Sequence, residues 1–180
     1  MPVRAMAEEP LTDESLATLW GRDRVFELNL SDTQVGDDGF RHLKGCAMLE
    51  ALVLDNTQVT GPGLAQLTDL PNLRYVGLEG CPITDEGMAT IGGLAALERL
   101  DLSRTPITDA GLGHLKSLLK LEKLYLSGTG VTAAAVEEFQ LALPDCEVCD
   151  LLDQLTSSPT NIDVHDNLDD ACTPVPANCP

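Results

Sequence analysis

The stretch LERLDLSRTPITDAGLGHLKSLLK, residues 97–120, decides the fold because it carries two hydrophobic periods in succession. It opens on LERLDL, where leucines alternate with polar residues at the two-residue period of a strand. After a turn through TPITDAG, Leu112, Leu115 and Leu118 recur at the spacing of a helix. A single strand–turn–helix unit of this size cannot bury its own apolar face, so it requires similar neighbours.

The same pattern returns every 24 residues, which indicates a repeat array. The column of inward strand leucines comprises Leu30, Leu54, Leu78, Leu102 and Leu126. The column that ends the strand comprises Thr33, Thr57, Cys81, Thr105 and Thr129. The column near the first helical turn comprises Gly39, Gly63, Gly87 and Gly111, with Ala135 in the fifth copy.

Each column predicts a structural role. A short hydroxyl or thiol after the strand can bond the backbone of a neighbouring turn, so stacked copies are expected to form a ladder. The pairs Thr84-Asp85 and Thr108-Asp109 are typical of helix starts, where Thr or Asp accepts a backbone hydrogen bond. The glycine column predicts close packing or an unusual dihedral angle at that turn.

The pattern LxxLxLxxTxITDxGLxxLxxL resembles the leucine-rich repeat, and is nearest to its ribonuclease-inhibitor-like or cysteine-containing subclass. Thr stands where that family usually carries Asn or Cys, and only Cys81 keeps the thiol. The resemblance implies an α/β fold, a right-handed solenoid with a parallel concave sheet and convex helices. It also implies protein binding through the concave sheet.

The chain divides into three regions on this interpretation. Residues 1–23 are predicted to be an N-terminal capping segment with a short helix, in which Trp20 covers the end of the first repeat. Residues 24–148 are predicted to hold five repeats and a degenerate closing strand. Residues 149–180 are predicted to form an acidic, cysteine-containing C-terminal cap or tail.

Composition narrows the classes of partner. The formal net charge is −18 and the last basic residue is Lys123, so nucleic acid and anionic membranes are not expected as partners. The acidity favours a basic protein, or it merely keeps the chain in solution. We expect a monomer without a membrane span. The sequence does not fix the location, and the cytoplasm is the default because no signal segment is visible. If a signal peptide was trimmed, the alternative is a periplasmic or extracellular location.

The cysteines divide by position. Cys46 and Cys81 fall within the repeats and are interpreted as small buried hydrophobic residues. The remaining four, which could form disulfides, stay free or bind zinc, are Cys146, Cys149, Cys172 and Cys179. A bond from either of the first two would hold the tail over the last repeat. The aspartates of NIDVHDNLDDAC could approach calcium, but their spacing does not match an EF-hand loop.

No catalytic constellation is apparent, and no cofactor or metal is predicted. Outward strand positions instead form a grid of varied side chains, and tyrosines on an exposed sheet have no evident packing role. The predicted partner-binding residues are Val53, Asp55, Tyr75, Glu79, Arg99, Asp101, Lys123 and Tyr125. The competing interpretation is that Arg99 and Lys123 only neutralise Asp101 and Glu79 on neighbouring strands.

The sequence therefore favours a non-enzymatic module that binds a protein or peptide through its concave sheet. Two alternatives stay open. One is an acidic inhibitor or immunity-type protein for a basic enzyme, and the other is a structural spacer in a secreted or cell-surface assembly.

Overall fold

The computed structural model describes residues 3–4, 11–17 and 25–149. The strands are β1 (Val3–Arg4), β2 (Glu27–Asn29), β3 (Ala51–Val53), β4 (Tyr75–Gly77), β5 (Arg99–Asp101), β6 (Lys123–Tyr125) and β7 (Glu147–Cys149). The α-helices are α1 (Asp13–Leu16), α2 (Asp85–Ile91), α3 (Asp109–Leu112) and α4 (Ala133–Ala142). The 3-10 helices are Asp37–His42, Pro62–Leu67 and Gly113–Ser117.

The seven strands of the described residues form one parallel sheet in sequence order. From β2 onwards each strand pairs with the residues 24 positions later, as Leu52 with Val76 and Leu100 with Leu124. These four side chains are fully buried, because inward strand leucines pack against leucines from the convex side of every repeat. The predicted α/β repeat solenoid is therefore confirmed, with short 3-10 helices in place of α-helices in the first two repeats.

Each repeat turns out of its strand through a residue with positive φ. These residues, again 24 positions apart, are Asp32, Asn56, Gly80, Arg104 and Gly128. Gly and Asn adopt this left-handed conformation at little cost, whereas a long side chain is uncommon there. Arg104, with φ of 55°, is therefore the exceptional member of the column.

The threonine hydroxyls donate to the backbone of their own repeat, and not to the backbone of a neighbouring turn as the sequence suggested, although Thr57 Oγ1 also lies 3.3 Å from Cys81 Sγ in the next repeat. Thr57 Oγ1 donates to the carbonyl of Leu54 at 2.6 Å, and Thr105 repeats that bond with Leu102. Three residues of turn bring the hydroxyl back to its own strand, so no inter-repeat ladder of threonines forms. Cys81 is the exception, because its thiol donates to the carbonyl of Leu54 in the preceding repeat at 3.0 Å.

A different side chain joins the repeats, and we call this contact the aspartate clasp. The carboxylate of Asp37 accepts hydrogen bonds from the amide and hydroxyl of Thr60, at 3.0 and 2.6 Å. Asp85 clasps Thr108 in the same way. Two further members are Asp109, which clasps Thr132, and Asp13, which accepts from the amide of Gly36.

The clasp is missing at one junction. Position 61, where the column would require an aspartate, is Gly61, and Thr84 receives no carboxylate from the preceding repeat in the described structure. The backbones approach closely instead, since a Cβ on Gly61 would collide with Gly87. The glycine column thus provides close packing as predicted, at this junction and at its neighbours.

The predicted helix starts are only partly present. Thr108 accepts a hydrogen bond from the amide of Ala110 at 3.4 Å, as an N-cap residue does. Thr84 occupies the same position before α2, but its side chain makes no capping bond. At the N-terminal end, α1 lies within the predicted helix and buries Leu16. Trp20 and the predicted tail after residue 149 lie outside the described residues.

Candidate functional site

The concave side chains lie in two rows across the sheet. The first row comprises Glu27, Ala51, Tyr75, Arg99, Lys123 and Glu147. The second row comprises Asn29, Val53, Gly77, Asp101, Tyr125 and Cys149. Because strands are about 4.8 Å apart, direct neighbours in a row can touch. Seven of the eight predicted partner-binding residues remain at least partly exposed on or beside these rows.

Tyr75 lies along its own strand and does not stand away from it. A Cβ built on Gly77 would be 3.0 Å from the Tyr75 hydroxyl, 3.0 Å from Asp55 Oδ1 and 3.3 Å from Val53 Cγ1. The tyrosine therefore fills the space that the glycine leaves, and it has a packing role that the sequence did not reveal. Burial is the main reason that its pKa lies above the usual range, followed by the charge of Asp101.

Val53 has little exposed surface on the concave face. Its side chain is only 9% exposed although it points to the concave face. The Tyr75 hydroxyl and the Asp55 carboxylate lie beside it at the Gly77 position and cover part of its surface. Tyr75 and Tyr125 remain half-buried aromatic residues on the face.

Three carboxylates, Asp55, Glu79 and Asp101, surround this tyrosine, and we call them the acidic cluster. Asp55 Oδ1 accepts a hydrogen bond from the amide of Glu79 at 3.0 Å, and Asp101 Oδ1 accepts from the amide of Ser103 at 2.8 Å. These bonds orient the carboxylates along the rim where the strands end.

The acidic cluster is poorly compensated. Burial raises the pKa of Asp55 to about 6, against an amide bond that lowers it, and the nearby charges of Asp101 and Glu79 raise it further. Burial likewise raises the pKa values of Asp101 and Glu79. Of the three, only Glu79 has an ion pair in the described structure, with Arg104 at 3.3 Å. The site is therefore a region of excess negative charge beside an aromatic ring.

The ion pairs around the acidic cluster involve basic residues of the strands and of the turns. Lys123 Nζ lies 4.0 Å from the carboxylate of Glu147, on the far side from Glu79. Arg99 occurs in none of the ion pairs of the described residues. Arg104, whose side chain is 76% exposed, is the cation at the cluster, and the sequence analysis missed it. The sequence feature that could have identified it is an arginine in a column of residues that otherwise favour turns.

The two cysteines within the repeats differ in burial. Cys81 is buried, and Cys46 packs against the core while partly exposed. Among the described residues the free thiols are those of Cys46, Cys81 and Cys146, and burial raises the pKa of Cys146 to about 12. Cys149, in contrast, is disulfide-bonded.

Two kinds of site are not found in the described part of the chain. No group of three or more His, Cys, Asp or Glu side chains is arranged to hold a metal ion within residues 3–4, 11–17 and 25–149. Nor does any helix in those ranges have the length and apolar character needed to span a membrane.

Comparison with known proteins supports the repeat assignment. A family model described as Leucine Rich repeat matches residues 27–41, 69–92 and 95–116. No curated protein is significantly similar to the chain in sequence.

Three solved structures of similar fold are informative. An internalin (InlF) from Listeria monocytogenes has a TM-score of 0.61 and 18% identity, covering 78% of this chain and 38% of its own length. Internalin C2 (InlC2) of the same organism has a TM-score of 0.58 and 20% identity, with coverages of 82% and 69%. A leucine-rich repeat protein of Leptospira interrogans has a TM-score of 0.53 and 20% identity, with coverages of 71% and 37%.

The likeness at these identities concerns the fold alone, and the chain spans 38% of the first internalin. The ribonuclease-inhibitor-like subclass stays a prediction. Taken with the 24-residue period and the parallel sheet, the matches establish that the chain folds as a leucine-rich repeat solenoid.

Proposed function

We propose that the chain is a non-enzymatic interaction module that binds a protein or peptide through its concave sheet. The partner presents a basic segment, and the acidic cluster receives its lysine or arginine side chains. The observation that carries this proposal is the position of Asp55, whose carboxylate is half-buried among other acids and has no ion pair in the described structure.

A cationic side chain would lower the pKa of Asp55, which burial and then the neighbouring acids raise. Placed between Asp55 and Asp101, it would supply the opposite charge that favours their ionised forms. It would also lie near the ring of Tyr75, where a cation is attracted to the aromatic face. The surrounding dielectric is lower than that of water, so each of these contacts counts for more than it would on an open surface.

The dimensions and composition of the face suit a protein segment. Six strand intervals of about 4.8 Å give a sheet roughly 29 Å across, which is one side chain deep and has no enclosing walls. Such a surface favours an extended or helical segment over a small molecule, which needs a concave pocket. Tyr75 and Tyr125 provide the aromatic contacts common at protein interfaces.

Affinity capture with matched variants tests the proposal. The wild-type chain and the double variant Asp55→Asn/Asp101→Asn are immobilised, and captured proteins from the native source are quantified by mass spectrometry. The control is Glu86→Gln/Glu137→Gln, which removes the same charge from two exposed convex positions. We expect specific partners to be lost from the first variant and retained by the control.

Equal retention by the wild type and Asp55→Asn/Asp101→Asn would contradict the proposed site. Equal loss from both double variants would favour the alternative in which overall acidity inhibits a basic enzyme, because that mechanism depends on net charge rather than position.

A further inference from the structure

Arg99 of β5 and Lys123 of β6 bring two positive charges together on the concave sheet. They are direct partners in the parallel register and lie in the first row, between Tyr75 and Glu147. Neighbouring strands are about 4.8 Å apart, and like charges that stand directly opposite each other destabilise a sheet. In a chain with 11 basic and 29 acidic residues, this pair is a local reversal of the overall charge.

The acids around this pair leave Arg99 without a carboxylate of its own. Lys123 Nζ lies 4.0 Å from the carboxylate of Glu147, whereas Arg99 takes part in none of the ion pairs among the described residues. Asp101, two residues further along β5, is oriented by the hydrogen bond that it accepts from the amide of Ser103 at 2.8 Å. The partly exposed guanidinium of Arg99 is therefore open to a carboxylate from another chain.

The pair lies at a fixed distance from the acidic cluster. Arg99 and Asp101 are two residues apart on β5, and a strand rises about 3.3 Å per residue, so their Cα atoms are about 6.6 Å apart. In an extended peptide, side chains two residues apart point to the same side with the same spacing. A segment that lies along β5 can thus place an acid over the pair and a base over the cluster, in either chain direction.

We propose that Arg99 and Lys123 form a carboxylate-binding site, which takes an aspartate or glutamate of the partner two residues from the lysine or arginine bound by the acidic cluster. The guanidinium of Arg99 can bind both oxygens of a carboxylate, and Lys123 adds a second positive charge. The inference rests on the proposed function for the position of the partner's basic residue. It restricts the partner from any basic segment to one in which the two signs of charge are spaced by one residue.

Two synthetic tripeptides test the carboxylate-binding site. Acetyl-Lys-Ala-Glu-amide carries both charges, and acetyl-Lys-Ala-Gln-amide has the same shape without the acid. Each is titrated at millimolar concentration into the isotope-labelled full chain, and the amides of Arg99, Lys123 and Glu79 are followed by NMR. The net charge of −18 alone would favour the Gln peptide. We expect the opposite order, with the Glu peptide bound about threefold more tightly.

Three variants identify the residues responsible. Arg99→Gln/Lys123→Gln should reverse the order of the two peptides. The control Lys44→Gln/Lys120→Gln removes the same charge from two exposed turns and should keep the wild-type order. Arg99→Lys retains the charge and should retain the preference for the Glu peptide, which separates the loss of the site from a loss of the fold.

The inference is overturned if the Gln peptide binds the wild type as tightly as the Glu peptide does, or if Arg99→Gln/Lys123→Gln keeps the wild-type order. It is also overturned if neither peptide shifts the amides of Arg99 and Lys123. The proposed function is tested separately by Asp55→Asn/Asp101→Asn, which should weaken the binding of both peptides. If that variant leaves both affinities unchanged, the proposed function fails, while the comparison of Glu with Gln still decides the carboxylate-binding site.

Discussion

Asp55 carries a half-buried charge on the face that we propose binds a partner. Its folded pKa of about 6 lies above the usual value of 3.8, so the folded chain binds the proton more tightly than the unfolded chain does. The resulting stabilisation is fully present below pH 3.8 and is lost as the pH rises through about 6. At neutral pH the ionised, half-buried carboxylate therefore destabilises the fold.

Replacing Asp55 by Asn should remove that cost. The amide keeps an oxygen that can accept the hydrogen bond from the Glu79 amide but carries no charge. At pH 7.5 we expect the free energy of unfolding to rise by about 1–3 kcal/mol, and at pH 4 the difference should nearly vanish. Urea denaturation at the two pH values measures both quantities.

The control for this prediction is Asp38→Asn, at an exposed position away from the acidic cluster. It should leave the free energy of unfolding within about 0.5 kcal/mol of the wild type. A gain for Asp55→Asn that is equally large at pH 4 would show that charge burial is not its cause.

At this scale the sequence placed side chains on the correct face but could not give their directions. Alternation within the strands is enough to bring Tyr75, Arg99 and Lys123 into one row. Tyr75 can turn along its strand because Gly77 has no Cβ. The space that this leaves is defined only when the neighbouring side chains are packed. The burial of Val53 follows from the same arrangement.

Side chains of one repeat form hydrogen bonds with the turn and helix start of the next repeat. Asp37 lies in the first 3-10 helix and holds the start of the next, accepting amide hydrogen bonds from Gly61 and Gly63 in addition to both groups of Thr60. A carboxylate satisfies the amide groups that a helix start leaves without partners, and its charge also favours that end of the helix.

Removing this clasp should destabilise the chain. We expect Asp37→Ala to lower the free energy of unfolding by about 1–3 kcal/mol, since several charge-assisted hydrogen bonds are lost at a partly exposed site. Asp38→Ala is the matched control, because it removes the same charge from the same first turn at an exposed position. Chemical denaturation of both variants gives the comparison, and equal losses would refute a specific role for the clasp.

The repeat columns of the sequence predict the helices and strands better than they predict the contacts between these elements. Thr108 was expected to cap its own helix and does so. Its backbone amide also donates a hydrogen bond to the carboxylate of Asp85 in the preceding repeat. The aspartate column is visible in the sequence. The sequence does not show which helix start each aspartate binds. A carboxylate at that position could accept hydrogen bonds from its own helix or from the helix of the next repeat.

For the whole molecule, the 24-residue period alone is enough to predict the order, direction and register of the strands. Every repeat has the same length, so only one stacking keeps all the apolar columns together. The period does not distinguish α-helix from 3-10 helix over six residues, because both place the same leucines inward. It also has no bearing on segments outside the repeat, such as the C-terminal region with its two cysteines.

The junction without a clasp should exchange its amide hydrogens sooner than the others. In the described structure the amide of Thr84 has no carboxylate acceptor, whereas those of Thr60, Thr108 and Thr132 each donate to an aspartate. All four threonines follow Val or Ile, so their intrinsic exchange rates are closely matched. We expect Thr84 to exchange about tenfold faster or more, as hydrogen exchange followed by NMR would measure. Similar rates at the four amides would show that the close backbone contact at Gly61 replaces the clasp fully.

The junction at Gly61, which has no aspartate clasp, also affects how the chain responds to mechanical force. A solenoid pulled at its two ends bears the load in series, so every junction carries the full force and the least reinforced one sets the limit. The repeats before and after Gly61 would then part as two blocks, each still bound together by its own clasps. Tension would thus divide the chain at a place fixed by a single missing carboxylate.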